Sequence, residues 1–137
     1  MGSMKIATTV AVTVTRTLGP IQVGLGLLFW TSNAFNLVPV HMLIGLVIVL
    51  ALWTLSGLAA RAGVHLGIVS SAFAWGILVI ALGMTQMQLL PGDLHWIVQV
   101  VHLALGLVAL AFAEVLARQI RARRTQGRAA VAFRTAV

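Results

Sequence analysis

The sequence contains no cysteine and only two acidic residues, and charged residues make up 8% of its 137 positions. Soluble domains usually contain about 25% charged residues. The lack of cysteine excludes disulfides, thiolate metal sites and cysteine-bound iron–sulfur clusters. The scarcity of carboxylates, with no Ser-His-Asp set at a plausible spacing, argues against a hydrolase. A chain with so little charge cannot build a water-soluble surface, so lipid is the natural solvent for most of it.

Hydrophobic residues make up 61% of the chain, and its mean hydropathy is +1.07. Crossing about 30 Å of hydrocarbon takes about 20 apolar residues in a helix. Four segments meet this requirement, and they predict an all-α, integral membrane four-helix bundle. The predicted spans are residues 17–35, 40–60, 64–86 and 94–117.

The predicted bundle occupies residues 4–118, because the first three residues resemble a cloning scar ahead of a native start at Met4. Residues 119–137 form a basic tail, expected to be frayed or disordered from about Gly127. Because this tail follows directly on a hydrophobic helix, we expect it to face anionic lipid, with no role in binding nucleic acid.

The distribution of basic residues predicts the orientation of the chain in the membrane. Lys5, Arg16 and Arg61 fall on the same side as the basic tail, and neither loop on the other side contains Lys or Arg. Cytoplasmic loops carry the excess of Lys and Arg. Both termini are therefore expected in the cytoplasm, with the protein in a bacterial inner membrane.

A short pattern occurs twice in the chain. His41 and His102 each begin the sequence H-x-x-x-G-L-V, so that Gly45 and Gly106 occupy matching positions. The repeat predicts two helical hairpins related by a two-fold axis along the membrane normal. Small residues along the predicted helices favour close packing, either inside the bundle or between the two copies of a homodimer.

His41 and His102 are predicted to lie at similar depth. They are roughly 30 Å and 24 Å from the basic residues that end their helices, at 1.5 Å per residue. Two imidazoles facing each other inside a bundle are what a six-coordinate haem iron requires. Gly45, Gly106 and Gly26 would leave room for the porphyrin faces.

These paired histidines in a small four-helix membrane bundle resemble the b-type cytochromes of the cytochrome b561 kind. The resemblance implies a haem b held by His41 and His102, with electron transfer or redox sensing as the function; an enzyme of this kind would be a membrane oxidoreductase. Such cytochromes commonly hold two haems. Here His65 is the only histidine on the cytoplasmic side, so we expect a single haem, near the outer face.

The sequence leaves several alternatives open. His95 could replace His41 or His102 as a ligand. The propionates would need polar partners in the absence of outer Lys or Arg, and the candidates are Asn33, Asn36, Gln99 and His95. His65 and Glu114 lie at matched depth near the cytoplasmic surface and could form an ion pair or a proton site. Two other functions also stay open: an accessory subunit of a larger membrane complex, with structural histidines, and a small-molecule transporter.

Overall fold

The computed structural model describes residues 2–32 and 34–136, so that Met1, Asn33 and Val137 lie outside the described residues. Within these ranges the chain is all-helical, as predicted. Four helices are each long and apolar enough to cross a membrane, by length and composition. They are α1 (Gly2–Ser32), α2 (Val38–Arg61), α3 (Leu66–Thr85) and α4 (His95–Ala136), with short 3-10 turns at Phe35–Leu37 and Gln86–Gln88.

The four helices form an up-and-down bundle. Helices α1 and α3 each contact both α2 and α4, and α2 also contacts α4 across the middle. The α2–α3 turn is short because Gly63 adopts a left-handed conformation with φ of +75°. Successive helices therefore reverse direction, and α2 runs parallel to α4. We call the end that carries Arg61 the basic end, and the end that carries the two 3-10 turns the loop end.

Helix α1 begins at Gly2, well before the predicted start of the first span at residue 17. The threonines of this first part are accommodated by the helix. The hydroxyl of Thr8 donates to Met4 O at 2.8 Å, and that of Thr15 donates to Val12 O at 3.0 Å. As a result Arg16, which we expected on the flank of the first span, lies in the middle of α1.

Helix α4 continues to Ala136, although we expected the chain to fray from about Gly127. The extension is rich in arginine and alanine, which are among the strongest helix formers. At 1.5 Å per residue, the 42-residue helix is about 60 Å long. The basic tail is thus a straight continuation of the last helix of the bundle.

The tightly packed core lies in the half of the bundle nearest the basic end. There, α1, α2, α3 and α4 all contribute side chains that are almost fully buried, among them Ala11, Leu52, Leu55, Ala72, Leu116 and Ile120. Around His41 and His102, near the loop end, the helices present half-buried residues. The loop-end half therefore shields its interior less completely than the basic-end half.

Burial supports the repeat between α2 and α4. The shift that moves His41 onto His102 also moves buried residues of α2 onto buried residues of α4. The matched pairs are Ile48 with Ala109, Leu52 with Ala113, Leu55 with Leu116 and Ala59 with Ile120. Equivalent faces of the two helices therefore point into the bundle.

A closely packed glycine lies at the α1–α4 interface and another at the α2–α3 interface, and the repeat relates these two interfaces to each other. A Cβ atom on Gly19 would lie 2.9 Å from the Leu110 side chain. One on Gly76 would lie 2.6 Å from Trp53 Nε1 and 3.0 Å from a Val49 methyl group. Since Leu110 and Val49 are themselves equivalent under the repeat, the two halves pack in the same way.

We expect Gly76→Ala to destabilise the bundle by about 1–3 kcal/mol, since overpacking a close helix contact costs energy of that order. Gly57→Ala is the matched control in α2, because a Cβ atom there would meet no atom within 4 Å. It should be neutral, or stabilising by up to about 1 kcal/mol through helix propensity. Thermal unfolding in one detergent would compare the two variants. Equal effects would contradict the close contact.

Candidate functional site

His41 and His102 meet inside the loop-end half of the bundle. Their ring centroids are 6.3 Å apart, and the ring planes make an angle of 50°. The two rings meet because α2 and α4 run parallel and touch across the middle of the bundle. His41 is also in edge contact with Phe29 of α1, at a centroid distance of 5.2 Å.

Three buried polar atoms at this site have no hydrogen-bond partner among the described residues. They are Nδ1 of His41, Nδ1 of His102 and Oε1 of Gln22. Leaving such a group unsatisfied costs about 1–3 kcal/mol, and native structures contain few of them. All three occur around one pair of rings, so the described residues leave hydrogen-bonding capacity unused at this place in the bundle.

A glycine from the neighbouring helix faces each histidine ring. A Cβ atom on Gly26 of α1 would lie 3.7 Å from His41 Cε1, and one on Gly83 of α3 would lie 3.1 Å from His102 Cε1. Gly26 was predicted at the site, but Gly83 was missed. The available signal was an isolated glycine near the loop end of the third span.

The glycines of the repeated pattern have different surroundings. A Cβ atom on Gly45 would lie 2.9 Å from Gln22 Nε2, so the amide of Gln22 covers this position. A Cβ atom on Gly106 would meet no atom within 4 Å. The room that we expected at both glycines is therefore present at Gly106, while at Gly45 it is filled by a side chain from α1.

The other predicted polar residues lie at the periphery of the histidine pair. Gln99 is half-buried on α4, and Asn36 is exposed in the turn before α2. His95 is the first residue of α4, and its Nδ1 lies 3.2 Å from Leu89 O in the preceding loop. Asn33 lies outside the described residues. Of the predicted ligands, it is His41 and His102 that form the close pair.

The structure does not bring His65 and Glu114 together. His65 caps α3, where its Nδ1 accepts a hydrogen bond from Gly67 N at 3.1 Å and so satisfies an amide at the helix start. The Glu114 carboxylate accepts two hydrogen bonds from Arg16, at 2.6 and 2.9 Å. The long α1 supplies this arginine, which was expected at the flank of the first span.

Among the described residues, no group of three or more His, Asp or Glu side chains could hold a metal ion. The histidine pair offers two nitrogen ligands, so a metal bound there would need its remaining ligands from other groups.

Searches of protein-family models, of curated proteins and of solved structures found no match to this chain. The resemblance to cytochromes of the b561 kind therefore rests on the histidine pattern and the helical architecture.

Proposed function

We propose that the protein is an integral membrane cytochrome that holds one haem b between His41 and His102 and carries single electrons. Membrane insertion is supported by the four long apolar helices and by large hydrophobic side chains exposed on all of them, such as Leu43, Ile77 and Leu107. With Lys5, Arg61 and the arginine-rich extension at the basic end, we further propose cytoplasmic termini in a bacterial inner membrane.

The spacing of the two imidazoles is the observation that carries the haem proposal. A metal–nitrogen bond to histidine is about 2 Å, and each nitrogen lies about 1 Å from its ring centre, so two axial imidazoles on one iron have centres about 6 Å apart. The observed separation is 6.3 Å.

The surroundings of the pair fit the same group. Gly26 and Gly83 leave space for both imidazole rings, and the backbone at Gly106 borders open space on the inward face of α4. The Nδ1 atom of each histidine has no partner among the described residues, so it is available to bind a metal or to make the hydrogen bond that orients the ring. Haem iron held in this way would supply one-electron redox chemistry, while the two histidines would occupy both axial positions.

The propionates are the part of the haem for which the chain offers least. The sequence has no Lys or Arg from position 17 to 60 or from 62 to 117. Gln99, Asn36 and His95 are among the polar side chains near the loop end of the bundle. We therefore propose that these groups and water meet the propionates, close to the outer surface of the membrane.

An absorption spectrum of the detergent-purified protein, oxidised and then reduced with dithionite, tests the proposal. The protein should be expressed in cells supplied with haem precursor. We expect a Soret band that sharpens and shifts on reduction, with about one haem per chain. A colourless protein that unfolds cooperatively, and that takes up no haem when titrated with it, would overturn the proposed function.

A role as an accessory subunit is the second candidate. It is favoured by an open apolar groove of about 500 Å³ between α1 and α2, lined by Ile6, Val10, Val47 and Leu50 among other side chains. A helix of another subunit could pack there. Gentle solubilisation of native membranes would separate the candidates, because an accessory subunit should elute with a fixed partner and a self-sufficient cytochrome should not.

We also propose that the basic extension of α4 binds anionic lipid. The attraction is about 1 kcal/mol for each arginine near the surface and fades within a Debye length. Arg118 and Arg121 lie closest to the bundle, whereas Arg128 and Arg134 lie further along the helix. Changing the first pair to Gln should therefore weaken binding of phosphatidylglycerol more than changing the second. Native mass spectrometry, with phosphatidylcholine as reference lipid, would count the bound lipids; equal losses would contradict the proposal.

A further inference from the structure

Gln22 breaks the two-fold relation between the halves of the histidine site. Gly26 of α1 and Gly83 of α3, the two glycines that face the histidine rings, are equivalent positions of the two halves. With the same offset, the residue of α3 equivalent to Gln22 of α1 is Val79. Both residues are half-buried. One histidine therefore has an amide side chain one helical turn from its facing glycine, and the other has a valine.

The Gln22 side chain is tied to His41. Its Nε2 donates to the backbone carbonyl of His41 at 3.0 Å and lies against Gly45, which has no side chain to obstruct it. Gln22 and Gly26 are four residues apart on one face of α1, and both contact the His41 region. This arrangement holds the amide against the first turn of α2, at the residue that carries the imidazole.

The other end of the amide is left unsatisfied. Gln22 Oε1 is a buried acceptor without a partner among the described residues, and His41 Nδ1 is a buried ring nitrogen in the same condition. A histidine that binds a metal through one nitrogen almost always donates its other N–H to an oxygen acceptor, which fixes the ring and increases the basicity of the ligand. Gln22 supplies an acceptor of the required kind.

We propose that Gln22 is the positioning residue of the His41 ligand: its Nε2 anchors the first turn of α2, and its Oε1 accepts the Nδ1–H of His41 when Nε2 of the ring binds the haem iron. This inference rests on the proposed haem site. The proposed bond forms if the imidazole rotates about its side-chain bonds until Nδ1 reaches Oε1, the two atoms that have no partner among the described residues. Because Val79 can make no such bond, the two axial ligands are unequal, and His41 is the more basic of them.

A more basic ligand stabilises the oxidised iron, so removal of the acceptor should raise the reduction potential. We expect Gln22→Leu to shift the one-electron equilibrium about tenfold toward the reduced form, or about 59 mV. It should also weaken haem binding by about 10–100-fold. Gln22→Glu loses the donor to the His41 carbonyl but retains an acceptor oxygen with more negative charge, and should keep the potential at or below that of the unmodified protein.

Redox titration of the purified holoprotein measures these shifts, with Val79→Leu as the matched control on the equivalent helix position. The proposal requires an unchanged potential in the control, a raised potential in Gln22→Leu and no rise in Gln22→Glu. If Gln22→Leu binds haem with an unchanged potential, the role assigned to Gln22 is wrong while the haem site stands. If the unmodified protein binds no haem, the proposed function itself fails.

A second readout does not require the cofactor. In the haem-free protein, ¹⁵N chemical shifts report the tautomer of each histidine. We expect the His41 signals to change in Gln22→Leu and the His102 signals to stay constant, because the amide is tied to His41. A change confined to His102 would assign the acceptor to the opposite ligand and would overturn the proposal for His41.

Discussion

His102→Ala is expected to abolish the Soret band of the purified protein. His102 and His41 would each supply one of the two nitrogens that hold the iron, and the other two histidines of the chain lie outside this pair. The same loss is expected for His41→Ala. Both variants should remain helical and monodisperse, because the packed core lies in the other half of the bundle, around residues such as Leu55 and Leu116.

His65→Ala and His95→Ala are the matched controls. His65 caps α3 through Gly67 N, and His95 is held by the loop that precedes α4. The spectrum should therefore survive either change. If His95→Ala instead removes the band while His41→Ala or His102→Ala retains it, His95 is a ligand and the pairing proposed here is incorrect.

Glu114→Leu is expected to lower the unfolding temperature of the detergent-solubilised protein by several degrees. The substitution leaves Arg16, in the middle of α1, without the carboxylate that now accepts two hydrogen bonds from it. An unpaired charge within an apolar span is costly. Arg16→Leu should be less harmful, because the arginines at positions 118 and 121 of α4 lie close enough to act on the remaining Glu114 carboxylate.

The double variant Arg16→Leu/Glu114→Leu separates pairing from packing. Replacement of both partners of an ion pair by apolar residues is often neutral, so it should recover most of the stability lost in Glu114→Leu. The equivalent interface of the other half supports this expectation: α2 and α3 are joined there by stacked Trp53 and Phe73 rings, 5.0 Å apart. Additive losses in the double variant would show that the two side chains act independently.

The architecture follows from sequence because long apolar segments and short turns leave few alternatives. Once α2 and α4 are predicted to be parallel, His41 and His102 must lie at similar depth, and the structure brings the two rings together. The start of α1 was harder to predict. Its threonines look polar in the sequence, yet a helix lets hydroxyls such as those of Thr8 and Thr15 donate to its own carbonyls.

The details of the site depend on the rotation of each helix about its axis, which the sequence alone does not specify. A spacing of four residues places Gln22 and Gly26 on one face of a helix, but spacing alone cannot show that Gln22 covers Gly45 or that Gly83 faces His102. The partner of Glu114 was missed for a related reason. Depth was counted from Arg61 and Arg118, whereas Arg16 lies inside a helix that begins at Gly2.

The two-hairpin architecture also constrains the biogenesis of the molecule. One imidazole belongs to α2 and the other to α4, so the first hairpin emerges from the ribosome with half a site. A group held by both rings could be captured only after α4 has packed beside the other three helices. Binding of the haem would then be a late step of assembly, open only to chains whose fourth helix is already in place.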